Sequence, residues 1–461
     1  MMTMKKIVKN IAVLLLTLTA CNPLQLDEIV DPNNPSVASV TVNATRNQIQ
    51  FLITGLESRH RAYMTVVTQA FNTFGREIWY LNSSDPRFQT DWLGQGGRVP
   101  DANYFGFGTT GGAGYAFPYQ AIKQAQVLID AVDNTNSITA AEKSAVKGFA
   151  KTIMGFQFMI PANFVYDNGI RIDVKDPQKP GPYVSYQEAL THAETLLNEG
   201  FADLGAAGTG ASAFPFTLTS GWTGFNTVDG LQRVNRAIAA RLNAYQNDWN
   251  GVINALNGSF MDLTGNLNAG PSHVFTGPPD IFNPIFYLPN AATTTIIVVH
   301  PSVLADATPG DKRVADKFFQ RTTPVTVTTD VGALVGTHQD KRWANNTSPV
   351  PFIRNEELIL LKAEAHAQLG QTTEAVAAIN VIRNAAQIGN YGGSTAQADL
   401  INEILYQRRY SLWCEPWGHR WIDARRYNRL NQIPTNFDQG TIFTKFPRPQ
   451  ADLNWDIYAG N

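Results

Sequence analysis

Apolar residues that recur every three or four positions, in segment after segment, restrict this chain to an architecture built mainly from helices. Ala121, Ala125, Leu128, Ile129 and Val132 form one stripe, and Ala189, Ala193, Leu196, Leu197 and Leu204 form a second. Val234, Ala237, Ile238, Leu242 and Tyr245 form a third, with Arg233, Arg236 and Arg241 assigned to its wet side. The clearest unit is a helical hairpin over residues 354–387. Leu358, Leu361, Ala365 and Leu369 line its first arm, Ala375, Ala378, Ile379, Ile382 and Ala386 line its second, and Gly370 supplies the turn. Small side chains at the crossing let two backbones approach closely, which is the packing of a tetratricopeptide-type pair and not of a coiled coil.

Residues 72–116, 205–230 and 258–350 are rich in Gly, Pro, Thr and aromatics, and they are too long for simple connections. Within them, residues 293–299 (TTTIIVV) and 325–329 (VTVTT) have the β-branched content of short strands, with Pro289, Pro301 and Pro324 expected as stops. The expected fold class is mostly α: a tetratricopeptide-like helical-pair scaffold with long loop-rich insertions and a few short β-strands. Long loops on a rigid scaffold are where function concentrates.

The amino terminus follows a different logic. A basic start (Lys5, Lys6, Lys9), an apolar run over residues 11–18 and the small pair Thr19-Ala20 before Cys21 make the three-part layout of a secretory signal. The apolar run is too short to span a bilayer. Leu18-Thr19-Ala20-Cys21 has the form of a lipobox, so Cys21 is expected to carry a lipid anchor on an outer surface. Residues 1–20 are then a removable leader, residues 21–45, with Pro23, Pro32 and Pro35, a spacer, and residues 46–461 a single domain. Cys414 would be the only thiol left besides the anchor, so stability must come from burying a core and not from a disulfide. The formal net charge of −2 becomes more negative once the leader lysines are removed, which argues against nucleic acid and other polyanions as partners.

Catalytic chemistry leaves no recognisable trace. Residues 106–111 (GFGTTG) satisfy G-x-G-x-x-G, yet the preceding VPDANYF is a polar, proline-broken segment and not the buried strand a dinucleotide loop must follow. The seven histidines are scattered without ligand spacing, so neither a metal nor a cofactor is expected. Asp85 with Asp91, or Glu356 with Glu357, are acidic pairs of a kind that arises in any chain of this size. The reading is a binding protein without a catalytic residue.

Aromatic loading is the positive signal. Residues 71–107 contain Phe71, Phe74, Trp79, Tyr80, Phe88, Trp92, Tyr104, Phe105 and Phe107, interleaved with Arg76, Asn82, Asp85, Arg87 and Gln89. Flat rings cover the apolar face of a pyranose while amide, carboxylate and guanidinium groups meet its hydroxyls. Trp79, Tyr80, Asn82, Asp85, Arg87 and Trp92 are the candidate ligand contacts, and the three large rings are expected to be partly exposed. The competing reading is that the rings cap the core. An extended peptide would suit the same groups.

The carboxy-terminal third carries a family resemblance. PFIRNEELILLKAEAHAQLG, then AAINVIRNAA, then ILYQRRYSLWCEPWGHRWIDARRY, resembles the closing signature of SusD/RagB proteins. Ile353-Arg354, Glu364-Ala365, Gly370, Asn380 with Arg383, Arg408, Leu412, Glu415, Arg420-Trp421, Asp423 and Arg425 fall at the signature positions. Earlier, AIKQAQVLID, KGFAKTIMGFQFMIPANF and VNRAIAARLNAYQNDW are similar to three of that family's helices. Gln407 and Ser411 depart from it, standing where acidic residues are usual, as does the insertion-like Pro416-Trp417. The resemblance implies an outer-membrane lipoprotein, exposed at the cell surface, that captures oligosaccharides or peptides and closes as a lid over a TonB-dependent SusC-like barrel transporter. It also brings in Phe286-Tyr287 and Trp343, with Trp222 weaker, as ligand-face candidates. Arg408, Arg420, Asp423, Arg425 and Arg426 read from the residues alone as a structural ion-pair network. A helical scaffold that only assembles other proteins, and a lipid-anchored hydrolase, are the rival functions.

Replacing Cys21 by Ala should move the protein from the membrane to the soluble fraction of a cell lysate while its circular dichroism stays unchanged; a variant that remains membrane-bound would refute the anchor.

Overall fold

The computed structural model describes residues 40–102, 115–176, 178–208, 214–293 and 295–459. The leader, Cys21, most of the spacer, the GFGTTG motif and Tyr104, Phe105 and Phe107 lie outside the described residues. Capping residues start three of the long helices. Thr45 with Gln48, Thr139 with Glu142 and Ser185 with Glu188 each exchange side-chain and backbone hydrogen bonds as capping boxes, at the starts of α1 (Arg46–His60), α5 (Ala140–Val165) and α6 (Tyr186–Ala206). Between α1 and α5 come α2 (Met64–Phe74), β1 (Ile78–Asn82), α3 (Arg87–Leu93) and α4 (Ala116–Asp133). The expected stripes are buried: Ala121, Ala125, Leu128 and Val132 on α4, and Ala189, Ala193, Leu196, Leu197 and Leu204 on α6.

Helices α5 and α6 form the tightest contact because glycines remove the side chains between them. A Cβ on Gly155 would lie 2.7 Å from Leu197 Cγ, and one on Gly148 would lie 2.7 Å from the Gly200 carbonyl. Helix α7 (Val228–Gln246) packs on α6 through Val234, Ala237, Ile238 and Leu242, and α8 (Trp249–Asn257) follows it. On α7 the structure corrects the sequence reading. Arg241 does not face water: it is 1% exposed, donates to Glu357 at 2.6 and 2.7 Å, and stacks its guanidinium on Trp417 at 4.2 Å.

The expected hairpin is present as α11 (Asn355–Gln368) and α12 (Thr372–Ala385), preceded by the short α9 (Pro301–Ala305) and α10 (Lys312–Lys317). Gly370 turns the chain at φ 72°, a left-handed conformation that favours glycine. Helix α11 is buried on two sides. Leu358, Leu361 and Ala365 join the main core, while Ile359, Leu360, Ala363 and Ala367 join a second cluster with Ala378, Ile379 and Ile382 of α12. Leu400, Ile401 and Ile404 of α13 (Gln397–Ser411) close that cluster, and α14 (His419–Arg426) and α15 (Gln450–Ala459) are the last α-helices among the described residues. The architecture is the expected one of tetratricopeptide-like helical pairs with a few strands. Among the described residues no helix is long and apolar enough to cross a membrane.

Residues 72–102, the first part of the tract at 72–116, hold more regular structure than their composition suggests, since they contain β1 and α3. Strand β1 pairs antiparallel with β5 (Thr295–Val299), Trp79 opposite Val298 and Tyr80 opposite Ile297, while the two-residue strands β2 (Ile170–Arg171) and β3 (Tyr183–Val184) pair with each other. Strands β6 (Phe318–Thr329) and β7 (Gly332–Asp340) form a hairpin that lies against β5, where a Cβ on Gly336 would come within 2.7 Å of Val298. Pro324 does not stop a strand; it sits within β6 where the register shifts between Gln320 and Val325, a bulge that spares it a ladder hydrogen bond.

The buried ion pair on α7 is directly testable. Arg241→Met should lower stability by about 3–5 kcal/mol, because Glu357 is left charged and buried without its partner. Arg233→Met, on the exposed side, should leave the urea midpoint nearly unchanged.

Candidate functional site

The described rings of the aromatic segment singled out from the sequence are core. Trp92 is 0% exposed, Trp79 3% and Tyr80 8%. Alternate residues of a strand point to opposite faces, and both faces of β1 are covered. Trp79 and Leu81 meet Ile296, Val298, Val325, Val327 and Leu334; Tyr80 points the other way, edge-on to Phe88, which packs on Trp92 at 4.8 Å. The indole Nε1 of Trp79 donates to Asp438 at 3.3 Å, beside Arg76, which holds the same carboxylate at 2.8 Å. Asn82 is buried too, its side-chain oxygen accepting from the Ser84 and Asp85 amides, while Arg87 grips Asp85 at 2.9 and 2.7 Å. The expected exposure of the three rings is therefore corrected: the β6–β7 hairpin on one side and α3 on the other take the faces a sugar would need. Tyr287 is half-buried between the same clusters, and its carbonyl accepts from Gln339 at 3.0 Å.

Trp343 is placed differently. It lines a cleft of about 540 Å³ beside the two-residue ribbon of β4 (Ser272–His273) and β8 (Val350–Pro351). The cleft owes its chemistry to the end of α13. The last carbonyls of a helix have no intrahelical donors and carry partial negative charge, and four cations gather there. Arg313 and Lys317, four apart on one face of α10, reach it together: Arg313 donates to the Gln407 carbonyl at 3.3 Å and the Ser411 hydroxyl at 2.9 Å, and Lys317 to the carbonyls of Tyr410, at 2.6 Å, and Ser411. Arg354, just ahead of α11, donates to the Ser411 carbonyl at 2.7 Å, and Arg342, just after β7, to that of Trp413 at 2.7 Å. Arg342 also lies over the rings of Trp343, at 5.0 Å, and Trp413, at 4.8 Å.

Counter-charges are distributed unevenly. Asp311 forks Arg313, Asp340 forks Arg342, and Arg354 is held by Glu415 at 2.7 Å and by Glu356. Burial pushes the Glu356 carboxyl up, but Arg354 and Lys317 outweigh it and bring it down to about 2. Glu356 thus stays ionised and is unsuited to giving up a proton; Glu357, bound to Arg241, and Asp85, bound to Arg87, are likewise committed to ion pairs. Trp343 is half-buried, and its indole Nε1 has no hydrogen-bond partner among the described residues.

A second cleft, of about 390 Å³, lies across the ribbon and is lined by Glu57, His60, Trp222 and His273. Burial lowers His60 to about 3 and His273 well below its usual range, so both imidazoles are neutral. Deeper in, Glu357, Glu415 and His419 bring one ligand-type atom each within 4.8 Å of one another. Arg241 and Arg354 already neutralise the two carboxylates, while burial and then Arg408 hold His419 well below its usual pKa. That charge balance suits the cluster's own ion pairs better than a divalent cation. The expected network of Arg408, Asp423 and Arg426 is buried and paired, Arg408 to Asp423 at 2.7 Å and Arg426 to Glu364 and Asp423 at 2.8 Å; Arg420 and Arg425 donate to backbone carbonyls.

Sequence reasoning had marked Trp343 but passed over Lys317 and Arg342 and gave Arg354 and Glu415 no place in a cleft. A cation four residues from another on a short helix was the available signal.

Comparison with known proteins agrees with this architecture. Residues 321–458 match the model of the SusD family, and the signature read at residues 351–427 falls inside that span. A SusD-like protein P38 of Formosa agariphila is 36% identical over 90 residues, a stretch that covers 18% of this chain and only 18% of that protein's own length. Among solved structures, a SusD superfamily protein from Bacteroides fragilis superposes with a TM-score of 0.65 at 13% identity, covering 89% of this chain and 97% of the other. Surface glycan-binding protein A from Bacteroides uniformis gives 0.64 at 13% identity, over 90% and 98%. A laminarin-binding SusD-like protein gives 0.63 at 14%, over 89% and 98%. The fold of the chain is SusD-like.

Burial of the β1–α3 rings makes a clear forecast. Trp79→Ala or Trp92→Ala should each cost about 3–5 kcal/mol, read from the shift of the guanidinium midpoint; a variant that keeps wild-type stability would show that the rings are not core.

Proposed function

We propose that this protein is a cell-surface nutrient-binding lipoprotein that captures oligosaccharides and delivers them, unaltered, to a TonB-dependent SusC-like transporter in the outer membrane. The observation that carries the reading is the coincidence of the family-matched span with the Trp343 cleft: Arg342, Trp343, Arg354, Glu356 and Glu415 lie in both. A half-buried indole face set beside fixed guanidinium and carboxylate groups offers a stacking surface and polar groups in one place, which is what a sugar requires. Relatives of the same fold that carry glycan-binding and laminarin-binding names support this ligand class. In this account Cys21 holds the protein to the membrane, residues 21–45 are the tether and residues 46–461 act as one binding body. No acid-base pair is needed, because transport requires capture and release and not bond cleavage.

Release to a transporter favours a modest dissociation constant, about 10 µM to 1 mM. The mature protein, titrated calorimetrically against oligosaccharide and peptide panels, should bind a glycan in that range without releasing reducing sugar. Trp343→Ala should weaken binding several-fold, corresponding to a loss of about 1 kcal/mol of stacking, with the thermal midpoint unchanged. Binding of peptides alone, turnover proportional to added protein, or full affinity in Trp343→Ala would each refute the assignment.

A further inference from the structure

Of the four cations at the end of α13, one makes no direct ion pair among the described residues. Asp311, Asp340 and the pair Glu356 and Glu415 serve Arg313, Arg342 and Arg354, and Asp316 on the same short helix is taken by Lys312. Lys317 donates to two carbonyls, and among the described residues no carboxylate comes within ion-pair distance of it. An ammonium has three donors, so one is left for whatever occupies the cleft that Lys317 lines together with Trp343. Glu356 and Glu415 act on the ammonium from beyond ion-pair distance, so a half-buried charge of this kind gains from a ligand that brings a carboxylate into direct contact.

Resting on the glycan-capture reading above, we propose that the cleft selects ligands bearing a carboxylate, such as uronic-acid oligosaccharides, and that Lys317 supplies the charge that meets it while Trp343 takes the sugar face. Arg342 and Arg354 are already saturated by their own carboxylates, so the anion's contribution falls on the amine. The charged groups around that amine are Glu77 just ahead of β1, Arg342 after β7, Arg354 and Glu356 at the start of α11, and Glu415 after α13, with Arg313 and Asp316 on its own helix. Burial pushes Lys317 down to about 7, Glu356 and Glu415 opposing the fall and Arg354 and Arg342 adding to it. A bound carboxylate favours the charged amine and raises its pKa. Above pH 7 the free protein must therefore take up a proton to bind, and affinity falls as pH rises from 7 to 9, by up to about tenfold per unit.

The test uses the full mature chain and matched probes: oligogalacturonate, oligoguluronate and oligoglucuronate, each beside its carboxyl-reduced counterpart. Calorimetry at pH 6.5 and pH 9.0, in buffers of different ionisation enthalpy, gives affinity and proton uptake together. At pH 6.5 at least one acidic probe should bind about tenfold more tightly than its reduced form, with that preference shrinking at pH 9.0 and protons taken up on binding. Lys317→Met should erase the preference, and Lys317→Arg should keep it while flattening its pH dependence. A helix-capping role alone would lower the thermal midpoint of Lys317→Met and leave the preference intact, which would overturn the assignment. The wild-type comparison stands even if Lys317→Met fails to fold. Equal binding of acidic and reduced probes, or binding of neutral glycans only, defeats the carboxylate proposal while leaving glycan capture standing; a protein that binds no glycan at all defeats both.

Discussion

Four arginines buried where α7, α11, α13 and α14 meet are tolerable because each of them faces a carboxylate at hydrogen-bonding distance, and the arrangement of the carboxy-terminal half depends on that pairing. Arg241 to Glu357, Arg354 to Glu415, Arg408 to Asp423 and Arg426 to Glu364 tie the four helices together at 2.6–2.8 Å. Removing two charges from water costs several kcal/mol per ion, so such pairs add little net stability. What they do is penalise any other register: a shift of one helix past another would leave a buried charge alone. Aromatic faces complete the enclosure, Trp417 lying on Arg241 at 4.2 Å and Trp421 on Arg425 at 4.7 Å. The Pro416-Trp417 step, a departure from the family pattern, thus places an indole over a buried guanidinium, its Nε1 reaching the Tyr245 hydroxyl. Ser411, another departure, accepts from Arg313 where an acidic residue would have added a further charge.

The cleft lies at the edge of this network and is made by the same rule. The carbonyl end of α13 attracts cations, and the helix pairs behind it keep the site from collapsing around them. Because Arg313, Arg342 and Arg354 are each locked by carboxylates, their positions are set before any ligand arrives, which reduces the ordering a ligand must impose. Trp343 shares that order through its contact with Arg342. A ligand-binding protein of this type needs no strained backbone or perturbed catalytic acid. Under the proposed capture role it needs a preformed wall, one aromatic face and a charge, here that of Lys317, that makes no direct ion pair of its own.

The stripes on α4, α6 and α7, the α11–α12 hairpin and its Gly370 turn were all legible in the chain, because periodicity and capping are properties of neighbouring residues. So was strand β5, from its β-branched run. The side of α7 that takes Arg241 was not, since an arginine among apolar neighbours reads as solvent-facing until its partner Glu357, far along the chain, is placed beside it. Trp79, Tyr80 and Trp92 were misread for the same reason. Their segment is rich in polar residues and turns, and nothing local announces that β5 and the β6–β7 hairpin will close over it.

The sequence by itself determined the class of fold, the helical pairs, the family-like signature and the expectation of a lipid anchor, all of which rest on short-range spacing. Only the tertiary structure decided which rings are core and which line a cleft, and it alone brought Arg313 and Lys317, Arg342, Arg354 and the end of α13 to one place. The physical reason is that burial and charge pairing depend on what covers a side chain, and in this protein the covering elements come from distant parts of the chain, so no window of neighbouring residues contains the answer.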